Sequence, residues 1–126
     1  MVTHKNQKGQ SLVEFALLLP VFILILFGVM EFGRLWEMTN MLTSAAREGA
    51  RVAAVTTPDI TKTTNAAQNI LSAGNIQNAT ITVSGPNLDN EITVTVSIAY
   101  TPMTGFIIPN LGPYPVSRST TIRWEG

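Results

Sequence analysis

An apolar stretch at residues 12–30 constrains the fold of this chain more than any other feature. Only Glu14, Pro20 and Gly28 interrupt it. As a helix rising ~1.5 Å per residue, the stretch would be roughly 28 Å long, close to the ~30 Å hydrocarbon core of a bilayer. A buried helix of a soluble fold is the alternative, but the rest of a 126-residue chain is too small to cover a helix that is apolar on all faces. We therefore predict a single membrane-spanning helix.

The charges that flank the apolar stretch predict its orientation. Lys5 and Lys8 precede it without an acidic neighbour, whereas Glu31, Arg34 and Glu37 follow it with mixed sign. Positively charged flanks stay on the cytoplasmic side of a membrane. We expect a single-pass protein with its amino end in the cytoplasm and the rest of the chain outside.

Composition excludes several classes of function. The chain has no cysteine, and its only histidine is His4, so thiolate or histidine metal sites are not expected. Eight basic and eight acidic side chains cancel, which leaves no overall field to attract nucleic acid. Between residues 49 and 124 the only acids are Asp59, Asp89 and Glu91, and no base, nucleophile and orienting group converge with them in the sequence. We predict no enzyme activity, metal, cofactor or small-molecule substrate.

Beyond the apolar stretch the pattern stays helical but becomes amphipathic. No helix breaker occurs before Pro58, and apolar or small residues recur at helical spacing. We predict one nearly continuous helix from about Leu12 to Val55, with a kink at Pro20, where a backbone donor is lost. Two adjacent stripes of small residues, each with a spacing of four, mark its last part: Ala45, Gly49 and Ala53, and Ala46, Ala50 and Ala54. Such stripes let backbones approach closely, and either another helix or the chain's own sheet is a suitable partner.

A second, shorter helix is predicted from the residues that follow. Thr57 suits the N-cap, Pro58 the first helical position, and Asp59 the positive end of the helix dipole. The helix is expected to run to about Ala73 and to be stopped by Gly74.

The remaining chain alternates with a period of two, which is typical of strands. Three such segments, around residues 80–84, 92–100 and 116–124, predict a three-stranded antiparallel sheet. We expect one face of this sheet to pack on the outer half of the long helix, giving an α+β fold. The loop at residues 102–115 is rich in apolar side chains and either covers its own sheet or contacts a partner: Met103, Phe106, Ile107, Ile108, Leu111 and Tyr114.

The junction before the apolar stretch carries a processing motif. A basic leader ends at Gly9, the apolar helix begins, and Glu14 stands five residues after the glycine. A secretory signal would instead place small residues just after the apolar region, and none of that kind follows residue 30. The layout resembles a type IV prepilin signal, which implies cleavage by a prepilin peptidase between Gly9 and Gln10.

Glu14 has a physical role in this interpretation. Inserting a carboxylate within a membrane span costs up to ~3 kcal/mol of free energy, so we expect Glu14 to have a function there. Cleavage would free a positive amine on Gln10, one helical turn from Glu14, and pairing with a neighbouring chain's amine would set the axial register of parallel helices. The alternative is a lone interfacial carboxylate on a plain anchor, with Gly9 as a linker residue.

Three sequence blocks in the first half of the chain support a more specific resemblance. They read GQSLVEFALLLP at residues 9–20, FGVMEFGR at residues 27–34 and AAREGARVAA at residues 45–54. In this order they resemble the TadE-like family. The resemblance implies a bacterial pilin-like protein of tight-adherence (Flp) pilus systems in the inner membrane. Its partners would be a prepilin peptidase, other pilin-like subunits and the assembly platform.

The resemblance also implies a division of the chain and a role. Residues 1–9 would be the leader, residues 10–57 the transmembrane and amphipathic helix, and residues 58–126 a small extracytoplasmic head. The major subunits of Flp pili are short and carry little beyond the helix, so a chain with a sheet is expected to be a minor subunit. An uncleaved single-pass anchor that displays a small binding module is the alternative function.

Overall fold

The structure, a computed structural model, describes residues 4–56 and 59–124. These residues confirm the predicted α+β class. They form two compact units, the first ending at Gly33 and the second beginning at Arg34. The elements of the described residues are α1 (His4–Thr56), α2 (Ile60–Ala73), β1 (Thr80–Ser84), β2 (Glu91–Tyr100), a 3-10 turn (Met103–Phe106) and β3 (Tyr114–Arg123).

The first unit is the apolar part of α1. This helix begins at His4, well before the predicted start at Leu12. The leader contains no proline, and a single glycine such as Gly9 costs a helix only about 1 kcal/mol. Pro20 lies inside the helix, and the kink predicted there stays a prediction. By length and composition α1 is able to cross a membrane, and none of its most apolar window is buried in the described chain.

The second unit contains the sheet, whose order is β1-β2-β3 in the described part of the chain. Both pairings are antiparallel, as predicted. In register, Val94 of β2 faces Val83 of β1, and Ile92 of β2 faces Ile122 of β3. The alternation seen in the sequence therefore places the apolar residues of the three strands on one face.

This apolar face packs on α1. Ile92, Val94 and Val96 are almost completely buried, and they belong to two clusters. One cluster joins Val96 to Leu42, Ala45 and Ala46 of α1 and to Leu71 of α2; the other joins Ile92 and Val94 to Ala50 and Ala53. As β2 advances from residue 92 to residue 96, its contacts move back along α1, so β2 runs antiparallel to this part of the helix.

The start of α2 corrects the predicted cap. Asp59, not Thr57, is the N-cap, and its carboxylate accepts a hydrogen bond from the backbone N–H of Lys62 at 3.3 Å. The helix begins only at Ile60, because the aspartate oxygen satisfies a free N–H of the first turn as well as a threonine hydroxyl would. Thr57 and Pro58 themselves lie outside the described residues.

Gly74 ends α2, as predicted, but for a different reason. Its φ of −87° is accessible to any residue, and the left-handed position is the next one, Asn75, with φ 59°. Packing favours glycine at position 74, because an added Cβ would lie 2.8 Å from Cγ of Met41 and that side chain would have to shift. Gly74 therefore allows the end of α2 to approach α1 closely.

The loop between β2 and β3 leaves apolar surface uncovered. Met103, Ile107 and Ile108 are 47%, 44% and 49% exposed, although Pro102 at the start of the loop is buried. About half of the surface of these three side chains is therefore covered within the chain, and the choice between covering the sheet and contacting a partner stays open.

Candidate processing and assembly site

Gly9 and Gln10 are adjacent in α1, Glu14 lies one turn after Gln10, and all three residues are exposed. A Cβ added at Gly9 would meet nothing within 4 Å, so the packing of this chain does not require glycine there. Gln10 and Glu14 are four residues apart, a spacing that puts their side chains on one face of a helix with Cβ atoms about 5–6 Å apart. An amine on Gln10 and the Glu14 carboxylate could therefore meet.

Glu14 is the only charged side chain between residues 9 and 30. Its neighbours in sequence, Val13 and Phe15, are 59% and 63% exposed, and the apolar side chains that follow are exposed as well. Such a surface suits lipid or neighbouring helices, and a carboxylate in those surroundings is stable only with a cation or water beside it. A cation on a second helix would meet this requirement.

The small-residue stripe of α1 lies in the second unit and faces the chain's own core. Ala45 and Ala53 are buried, and a Cβ added at Gly49 would lie 3.1 Å from Cγ1 of Val94 and 3.4 Å from Cβ of Ala67. Gly49 therefore sits between β2 and α2. The stripe brings the sheet and α2 close to the helix, and its surface is occupied within this chain.

We expect Gly49→Leu to destabilise the second unit by about 3 kcal/mol, since an enlarged side chain must displace Val94 and Ala67. The matched control is Gly33→Leu in the same helix, where an added Cβ meets nothing within 4 Å. The control should be neutral or slightly stabilising, because leucine favours helix over glycine. Denaturation of the full chain in detergent, followed by the fluorescence of Trp36 and Trp124, measures both effects. Equal stability of the two variants would contradict the close packing at Gly49.

A charged edge of α1 lies beside this stripe. Arg51 forms a bidentate ion pair with Glu48, with its shorter contact at 2.7 Å, and Arg47 is exposed. The hydrogen bonds from the Arg51 guanidinium hold the pKa of the Glu48 carboxyl below its usual value. Both side chains are reached by solvent, so the pair contributes little to stability and forms a solvated edge.

The structure also joins two residues that the sequence did not single out as a pair. The guanidinium of Arg34 lies over the ring of Tyr100, 5.8 Å from its centroid, in a cation–π contact. An arginine just beyond the apolar stretch is visible in the sequence, but its aromatic partner lies at the far end of β2. No local pattern connects them.

The described residues contain no candidate metal site. Within residues 4–56 and 59–124, no group of three or more histidine, cysteine, aspartate or glutamate side chains could hold a metal ion.

The predicted site residues fall into two sets. The first unit contains Gly9, Gln10, Glu14 and Pro20, and the second contains Ala45, Gly49 and Ala53.

Comparison with known protein families finds a match in the N-terminal part of the chain. The family model described as TadE-like protein matches residues 9–51, about a third of the sequence, and so confirms the resemblance over that segment. The match suggests a pilus-related protein of the tight-adherence (Tad) systems. No curated protein and no solved structure matches the chain significantly.

Proposed function

We propose that this protein is a minor pilin-like subunit that takes part in the assembly of Tad (Flp) pili. The observation that supports this most strongly is Glu14, a lone carboxylate on an exposed apolar helix, one turn after Gln10. The TadE-like match begins at Gly9, the residue before the proposed cleavage point. In this proposal the protein acts through helix packing and not through catalysis.

Maturation is the first step of the proposed function. A prepilin peptidase cuts between Gly9 and Gln10 on the cytoplasmic side of the inner membrane, where Lys5 and Lys8 hold the leader. Gly9 suits a narrow protease site because it has no side chain, and no close contact among the described residues accounts for a glycine there. The apolar helix then remains in the product and anchors it.

The new amino terminus at Gln10 then takes part in assembly. The amine of Gln10 in one chain pairs with Glu14 of a neighbouring pilin-like subunit, which sets the axial register of two parallel helices. The pair forms in a low-dielectric region, where a carboxylate without a partner is costly. The assembly platform and other pilin-like subunits are the expected partners, either in the filament or in the membrane.

A defined second unit supports a minor role. Residues 34–56 and 59–124 form a sheet and a second helix with their own buried core. Short major subunits that consist of little beyond the helix have no equivalent of this part. We infer that the second unit lies outside the cytoplasm and shapes the surface that the subunit presents during assembly.

Mass spectrometry of the protein extracted from its native membrane tests the proposal. We expect the first residue to be Gln10, and we expect the full leader to persist in a strain without prepilin peptidase. The same spectrum shows whether the terminus carries a methyl group or has lost ammonia by cyclisation, which would remove the amine that Glu14 needs. A chain that keeps its leader beside an active peptidase would instead support an uncleaved anchor that displays a binding module.

A further inference from the structure

The third strand, β3, is an edge strand in the described part of the chain, because it pairs with β2 on one side only. The backbone N–H of Trp124 donates to the carbonyl oxygen of Asn90, so these two residues form a hydrogen-bonded pair of the antiparallel ladder. Such pairs recur at every second residue, and the even-numbered residues of β3 therefore bond to β2. The backbone N–H groups of the odd-numbered residues point to the free edge: Ser117, Ser119, Thr121 and Arg123.

An exposed arginine lies in the middle of this edge strand. Arg118 is paired in register with Val96 of β2. It has the same parity as Val116 and Ile122, which pack against the two core clusters. The Arg118 side chain therefore leaves β3 on the face that packs on α1, and yet the residue is exposed to solvent.

Arg47 of α1 lies toward the same edge of the sheet. Gly49 faces Ala67 of α2, and α2 contacts β1, the strand at the opposite edge. Ala46 packs in one cluster with Val96 of the central strand. Successive residues of a helix are about 100° apart, so Arg47 lies on the side of Ala46 that is remote from Gly49. This side faces β3, and Arg47 is exposed there.

Neither arginine forms an ion pair with an acid within residues 4–56 and 59–124. The Arg118 guanidinium donates a hydrogen bond to the carbonyl oxygen of Ser117 at 3.1 Å, whereas Arg51 on α1 is paired with Glu48. A strand edge with free N–H and C=O groups is a template for pairing with another chain. Two cations beside such an edge favour a chain that brings a carboxylate.

We propose that β3 binds an extended acidic segment of a partner protein, which adds to the sheet as a fourth strand. The backbone of the segment bonds to the odd-numbered residues of β3, and a glutamate or aspartate on its α1-facing side lies beside Arg118 and Arg47. Main-chain hydrogen bonds supply the affinity, and the charge pair selects the segment. Strand addition involves the second unit alone and does not depend on the membrane anchor or on cleavage after Gly9.

A second copy of this chain does not have the complementary chemistry. Two β3 strands joined antiparallel along their full length, with their helices on one side, would set the two Arg118 side chains opposite or diagonal to one another. Like charges at such positions destabilise a sheet. The other edge strand, β1, contains no acidic residue between Thr80 and Ser84 and so offers the arginines no partner. The segment that fits this edge therefore belongs to a different protein.

Amide hydrogen exchange of the full chain in detergent, followed by NMR, tests the inference. The probe is the peptide Thr-Val-Thr-Glu-Thr-Val-Thr, whose glutamate shares one face with its two valines, and the comparison peptide has lysine at the centre. We expect the glutamate peptide to slow exchange of the free-edge N–H groups of Ser117, Ser119 and Thr121 several-fold. Arg118→Glu should weaken binding of the glutamate peptide about tenfold and strengthen binding of the lysine peptide, because an attractive cross-strand pair becomes repulsive.

Two controls separate strand addition from a general effect of charge. Lys62→Glu makes the same change of charge on α2, where the lysine is exposed, and should leave the binding of both peptides unchanged. Ser119→Pro removes a free-edge N–H but no bond to β2, so it should abolish the protection, whereas Ser119→Ala should retain it. The fluorescence of Trp36 and Trp124 shows whether each variant is folded.

The other outcomes overturn the inference. Equal protection by both peptides would show that the edge accepts strands without selecting for acid. Binding that leaves exchange at Ser117, Ser119 and Thr121 unchanged would identify an electrostatic contact without strand addition. Protection of these groups by self-association, without peptide, would identify a second copy as the occupant. Absence of binding by the glutamate peptide would remove the acidic segment, and cleavage after Gly9 would stand or fall separately.

Discussion

A chain with Gly9→Leu is expected to keep its leader in cells that contain an active prepilin peptidase. Leucine adds a branched side chain at the residue that must enter the protease site, where only glycine leaves the backbone unobstructed. The fold should be unaffected, since an added Cβ at this position meets nothing within 4 Å. Electrophoretic mobility and intact mass of the membrane-extracted protein measure the loss of cleavage, which we expect to be complete.

The matched control for this variant is Gly28→Leu. Gly28 lies in the same helix, and an added Cβ there also meets nothing within 4 Å. The two substitutions are chemically identical, so a general effect of a bulkier helix on membrane insertion would appear in both. Normal cleavage of the Gly9→Leu chain would remove the basis for maturation at this position.

A chain with Glu14→Leu is expected to insert, to be cleaved and then to fail in assembly. Insertion should improve, because the carboxylate no longer has to enter the membrane. Assembly should be lost, because the neighbour's amine would be buried without its partner, and breaking a buried ion pair in this way costs about 3–5 kcal/mol. Membrane fractionation, terminal mass and recovery of pili separate these three steps.

Glu37→Leu is the control for charge on the same helix. Glu37 is exposed and lies beyond the apolar stretch, so its replacement should leave piliation intact.

The variant Glu14→Gln keeps the size of the side chain and removes only the charge. We expect it to fail in assembly, as Glu14→Leu does. Normal piliation in both Glu14 variants would show that the charge pair is dispensable for assembly.

Much of the fold could be predicted because its signals are local. The apolar run up to Met30 and the alternation along β2 each depend on neighbouring residues, and both elements appear in the described structure. The predicted cap at Thr57 was wrong, because several residues near a helix start can accept the same N–H bond, and Asp59 does so here. Gly74 was the correct end of α2, although its reason, the approach of Met41, involves a distant part of the chain.

The processing motif is predicted from local spacing alone, since Gly9, Gln10 and Glu14 lie within six residues of one another. Its use in the cell stays a prediction, because the partner that would supply the second charge belongs to another chain. The partner of the small-residue stripe, by contrast, could not be read in advance. Small residues permit close approach by a helix or by a sheet. In the folded chain, Val94 and Ala67 pack against Gly49.

The amino-acid sequence alone specified an apolar stretch, a long helix, three strands and a carboxylate five residues after a glycine, because each depends on residues close together in the chain. Tertiary structure decided which way β2 runs along the part of α1 that belongs to the second unit, and with it that Tyr100 meets Arg34. Those contacts join residues far apart in the chain. Their geometry is set by the packing of a whole sheet on a helix, which no short pattern encodes.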